Sequence, residues 1–84
     1  MKGSKRRPRP KRLAGKLKAI RERLGLTQAG MAGKLNRIPS PPDGAMISRY
    51  ERGEREPSLF ALLAYARAAG VAVDVLIDDK KKWP

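Results

Sequence analysis

"LTQAGMAGKLNRIPSPPDGAMISRYERG", residues 26–53, sets two short helical segments on either side of three prolines that fall within four positions. In the first segment Thr27 can accept the amide hydrogen bond of a helix N-cap, and Ala29, Met31, Ala32 and Leu35 supply a short apolar face. Gly30 and Gly33 each weaken a helix interior by about 1 kcal/mol relative to alanine. This helix therefore needs tertiary support, and its glycines suit the close approach of another backbone. Asn36 tolerates the positive φ that ends a helix. Pro39, Pro41 and Pro42 cannot continue one, because proline lacks the amide proton and biases the residue before it toward extended backbone. The turn is stiff, which lowers the entropy of the unfolded connection and orients the helix that follows. Asp43 can cap that helix, over about 43–52, with Met46, Ile47 and Tyr50 inward and Gly44, Ala45, Ser48, Arg49 and Arg52 outward; Gly53 stops it.

Outward from this core stretch the same rules predict three more helices. Leu13, Leu17, Ile20 and Leu24 recur at steps of four, three and four, one face of a helix over about 12–24 that Gly25 ends. Lys16, Lys18, Arg21 and Arg23 are assigned to its other faces. Pro57-Ser58 opens a fourth helix with an apolar stripe of Leu59, Leu62, Leu63, Ala66 and Ala69, ended by Gly70. Val71, Val73, Val75, Leu76 and Ile77 would suit a strand, but a lone strand has no partner in a helical chain, so a short fifth helix over about 73–78 is expected.

The 84 residues make one small domain with tails. Cysteine and histidine are both absent, which removes thiolate sites and the commonest metal ligand and general base; no cofactor is expected and an enzyme is disfavoured. The net charge of +12 is uneven. Residues 1–23 hold eleven Lys or Arg against one Glu, residues 24–79 hold six against seven acids, and residues 80–84 add three lysines. A basic arm on a nearly neutral domain indicates an anchor on a polyanion, with selectivity elsewhere. Residues 1–11 lack apolar periodicity and are expected to form a disordered arm, whose Arg6, Arg7 and Arg9 suit a narrow minor groove or serve only solubility. Residues 12–78 form the domain, and residues 79–84 a basic tail that is loose or sets Trp83 at a dimer contact. No apolar run approaches the ~20 residues of a membrane span, and the basic N-terminus leads into no uncharged apolar stretch, so the chain reads as cytoplasmic and nucleoid-associated, without a membrane partner.

Two short helices joined by a turn, the second capped and outwardly small and polar, form the pattern of a helix-turn-helix. "LKAIRERLGLTQAGMAGKL…ISRYERGEREPSLFALLAYARAAGVAVDVLI", residues 17–77, resembles the phage repressor and Cro family, also called xenobiotic-response-element-like. Its marks are the RxxxGLTQ run from Arg21 to Gln28, ISRYERG followed by Pro57, and the valine-rich GVAVDVLI. The resemblance implies an all-α, five-helix lambda-repressor-like domain with the helix from Asp43 in the major groove of double-stranded DNA. It further implies that Gln28 touches the DNA backbone or steadies that helix, and that Ala45, Ser48 and Arg49 face bases. Gly44 stands where such proteins often carry a contacting glutamine, and Arg52 and Arg55 complete the candidate set. The connection from Asn36 to Pro42 is about five residues longer than is usual in the family, and Gly30 replaces the usual capping-box Glu.

Only Arg49 of the outer face has the geometry to read guanine O6 and N7 together. Arg49 and Arg52 have a plainer reading as surface residues paired with Glu51, Glu54 or Glu56. The function expected is a prokaryotic or phage-borne, sequence-specific transcriptional regulator, a repressor or an antitoxin with a cognate toxin. It would bind as a homodimer through the end formed by helices four and five. The alternative is a helical module for protein or RNA with only non-specific affinity for DNA.

Overall fold

The computed structural model describes residues 9–83, and among them stand five α-helices and no strand: α1 Leu13–Arg23, α2 Gln28–Lys34, α3 Gly44–Glu51, α4 Leu59–Ala69 and α5 Val73–Ile77. Local chemistry starts and stops them. The Thr27 hydroxyl accepts from Gly30 N at 2.9 Å, the Asp43 carboxylate from Met46 N at 2.8 Å, and the Ser58 hydroxyl from Ala61 N at 3.1 Å. Each satisfies one of the amides that a first helical turn leaves without a partner. Gly25, Gly53 and Gly70 close α1, α3 and α4 at φ 71°, 73° and 72°, a left-handed backbone that costs other residues about 1–2 kcal/mol.

α1 lies at the centre and packs against α3, α4 and α5, while α2 packs against α3. Leu17, Ile20, Met31, Leu35, Ile47, Tyr65 and Leu76 are the largest fully buried side chains, so every helix contributes to one core. Burying such a side chain contributes about 1.5–3 kcal/mol.

Several expectations are corrected. Leu24 is 38% exposed, because α1 ends at Arg23 and Leu24 turns away with the chain. Lys16, assigned to an outer face, is buried. It lies three residues from Leu13 and four from Ile20, on the same stripe, and its ammonium donates to Val75 O at 2.7 Å and Asp78 O at 3.0 Å, at the carbonyl end of α5. α4 is rotated from its expected setting: Ala61, Leu62, Tyr65 and Ala66 are buried, whereas Leu59 and Leu63 face water. Tyr65, which was not part of the expected stripe, is fully buried.

The left-handed residue after α2 is Ser40, at φ 50°, and not Asn36. No foreign backbone approaches Gly30 or Gly33; the close approach occurs at Gly44, where a Cβ would lie 3.5 Å from the backbone of Ala29. The segment after α5 is folded back. Trp83 is half-buried against the core with the Arg23 guanidinium 5.6 Å from its ring centroid, and the Lys81 ammonium pairs with Asp74. The Asp79 carboxylate accepts from the amides of Lys11 and Arg12 at 2.9 and 3.0 Å, and so covers the start of α1, where the side chain of Arg12 makes no capping bond.

Candidate nucleic-acid interface

α3 buries one face in the core and presents the other to solvent. Ile47 and Tyr50 bind it into the core, and Met46 is half-buried; this leaves Ala45 and Arg49, four residues apart on one face, exposed. The Arg49 guanidinium donates to no acceptor among the described residues. Its five N–H groups are therefore available to an external acceptor of planar, bidentate shape.

Arg52, by contrast, is engaged. Its guanidinium pairs with Glu54 through bonds of 2.9 and 3.0 Å and also donates to the Ser48 hydroxyl. The bond from Arg52 holds the Glu54 carboxyl below its usual range. Ser48 is half-buried, and its hydroxyl oxygen accepts this bond. Gly44 is half-buried against Ala29, so that position offers backbone rather than a side chain.

The angle of α3 is held from beneath by an ion pair that reading the sequence missed. Glu51 turns inward, away from Arg49 and Arg52, and meets Arg21 of α1 through bonds of 2.6 and 3.0 Å; the side chains are 4% and 14% exposed. Arg21 also donates to Leu26 O at 2.9 Å, and Gln28 Nε2 donates to the same carboxylate at 3.3 Å. One carboxylate thus ties α1, α2 and α3 together. Gln28 is half-buried in this contact. The signal available in the sequence was the Arg of RxxxGLTQ together with a Glu at the inner end of α3.

Arg9 and Arg55 are exposed and line one open groove of about 640 Å³ beside the start of α3, with Tyr50 and the turn Ser40-Pro41-Pro42. Burial raises the Tyr50 phenol above its ordinary value, and the nearby Arg55 works against that rise. Arg6 and Arg7 lie outside the described residues. The candidates thus divide into the α3 residues, with Ala45 and Arg49 exposed and Ser48 half-buried, and a flank that holds Arg9 and Arg55.

Comparison with known proteins bears on the family and the fold. A helix-turn-helix domain family model matches residues 12–78. A search of curated proteins finds no match. Among solved structures the chain is similar to the crystal structure of the P22 c2 repressor protein in complex with synthetic operator 9T in the presence of Tl+. That similarity has a TM-score of 0.68 and 27% sequence identity, and it covers 80% of this chain and 94% of the other. No helix among the described residues is long and apolar enough to cross a membrane.

Proposed function

Since the chain belongs to the helix-turn-helix domain family, we propose that it is a sequence-specific DNA-binding repressor that acts as a homodimer with α3 in the major groove. The observation that carries this reading is the exposed Arg49, whose guanidinium makes no hydrogen bond or ion pair among the described residues, on a helix whose other large side chains are committed to the core or to intramolecular pairs. A bidentate contact from Arg49 to guanine O6 and N7 supplies discrimination, and the Ala45 methyl group suits the methyl of a thymine. Ser48 adds one hydroxyl that can donate to a base acceptor. Such a reader is narrow, so affinity must come from phosphates, met by Arg9, Arg55 and the basic residues before them.

The Arg21–Glu51–Gln28 cluster acts as the positioning device, since it sets α3 relative to α1 and α2 without occupying the outer face. Two copies on an inverted repeat would place their readers about 34 Å apart, one helical turn. Repression then follows from occupancy of the operator. Similarity to a repressor that was crystallised with an operator supports this reading over activation.

The test is in vitro selection of the full chain against random duplex DNA at near-physiological salt. Enrichment of an inverted repeat with a guanine in each half-site is the expected result. Smooth, sequence-blind loss of binding with rising salt would overturn it.

A further inference from the structure

Phe60 and Leu63 of α4 are 55% and 37% exposed, and both line a cleft between α4 and the segment that follows α2. Leu35, Ile38 and Pro39 line the same cleft, whose volume is about 560 Å³. Lys34, Arg37 and Arg67 also border it, and no carboxylate does. None of these three cations takes part in an ion pair or side-chain hydrogen bond among the described residues. An apolar depression bordered by three cations, with no carboxylate beside them, marks an interaction surface.

The geometry points to an acid-flanked amphipathic segment of another protein as the occupant of this cleft. Its apolar side chains lie against Phe60, Leu63, Ile38 and Pro39, and its carboxylates meet Lys34, Arg37 and Arg67. Charge complementarity selects this occupant over the two rivals. A second copy of this chain has little acid to give: of its eight carboxylates Asp43, Glu51, Glu54, Asp74, Asp78 and Asp79 are engaged within their own fold, and the exposed Glu22 alone could not meet three cations. A nucleic-acid backbone would use the cations but has no use for the apolar lining, and α3 contributes no residue to the cleft. Pro39, followed by Pro41 and Pro42, restricts that side of the cleft before binding, which reduces the ordering that a partner must impose. The surface is separate from the face of α3, so its occupancy is independent of the reading given above for DNA.

The experiment is fluorescence anisotropy on the full chain with a set of labelled helical peptides about 16 residues long. Each has leucine at i, i+3 or i+4, and i+7 and glutamate elsewhere, and is paired with an analogue carrying glutamine for every glutamate. Saturable binding to the wild type is expected. Phe60→Ala, Arg37→Glu with Arg67→Glu, and the glutamine analogues should each weaken it by about tenfold or more. Phe60 is exposed, so the thermal transition of Phe60→Ala should match that of the wild type and exclude unfolding as the cause. Absence of saturable binding, or binding indifferent to Phe60→Ala, overturns the inference. It is equally overturned if the charge reversals weaken duplex DNA and spare the peptide, which would make the cations phosphate contacts, or if Phe60→Ala dissociates a wild-type dimer in sedimentation, which would make the face a self-contact.

Discussion

Arg49 and Arg52 are three residues apart on one helix, both exposed, and differ in what the protein offers them. Glu54 and Ser48 satisfy Arg52, while Arg49 meets no acceptor within the described fold. Arg49→Ala should therefore leave the thermal transition unchanged, cost about 1–3 kcal/mol of affinity for the selected operator and relax preference at one base position. Gel-shift titrations against every single-base variant of that operator would check this, and an unaltered base preference would remove α3 from the role of reader. Tyr65 presents the opposite problem. Its ring is fully buried, burial pushes its phenol well above the ordinary range, and its hydroxyl has no partner. A buried, unsatisfied polar group costs about 1–3 kcal/mol, so Tyr65→Phe should raise stability by about 1 kcal/mol in urea unfolding. A fall would show that the hydroxyl has an acceptor. The exposure of Arg49 was legible from residue type and helical phase alone, whereas the inward turn of Glu51 was not, because its partner Arg21 lies thirty residues earlier in the chain.

The ends of the helices separate what is local from what is not. Thr27, Asp43 and Ser58 each bond an amide three residues ahead, within reach of a sequence rule. α1 and α5 are finished by one another: Asp79 covers the amides that lead into α1, and Lys16 covers the carbonyls that end α5. The bonds from Lys11 N and Arg12 N hold the Asp79 carboxyl below its usual range. A lowered folded value means that this contact stabilises the fold above the unfolded value of about 3.9 and ceases to do so as pH falls through the folded value. Asp79→Asn should accordingly be less stable than the wild type at neutral pH, with the gap between their urea midpoints narrowing below about pH 4. A gap that stays constant into strong acid would mean that ionised Asp79 contributes nothing. Asp74, paired with Lys81, is lowered in the same direction and is common to both proteins, so the comparison isolates Asp79.

Across the whole molecule, the basic charge lies apart from the exposed face of α3: residues 1–23 carry eleven basic side chains, and the proposed reader Arg49 sits on α3. Removal of residues 1–8 takes away four of those charges, Lys2, Lys5, Arg6 and Arg7, and retains the Lys11 and Arg12 amides that Asp79 needs. The truncated chain should bind all duplexes more weakly and keep its base preference. The slope of log affinity against log salt should flatten by about 0.9 for each phosphate that the shortened arm no longer neutralises. A change in preferred sequence would instead give the arm a part in reading. The sequence by itself determined the number and type of the helices, their caps and glycine stops, the stiffness of the proline connection and the outward setting of Ala45 and Arg49. Those features depend on backbone preferences and on hydrogen bonds only a few residues long, which residue type and spacing express directly. Only the tertiary structure decided that Lys16 is buried, that Glu51 joins three helices, that Asp79 and Trp83 fold back, and that α4 turns Tyr65 inward and leaves Leu59, Phe60 and Leu63 in water. Each of these depends on which surface another helix presents across a long loop, and an apolar stripe broad enough to be buried in more than one rotation does not record which rotation packing will choose.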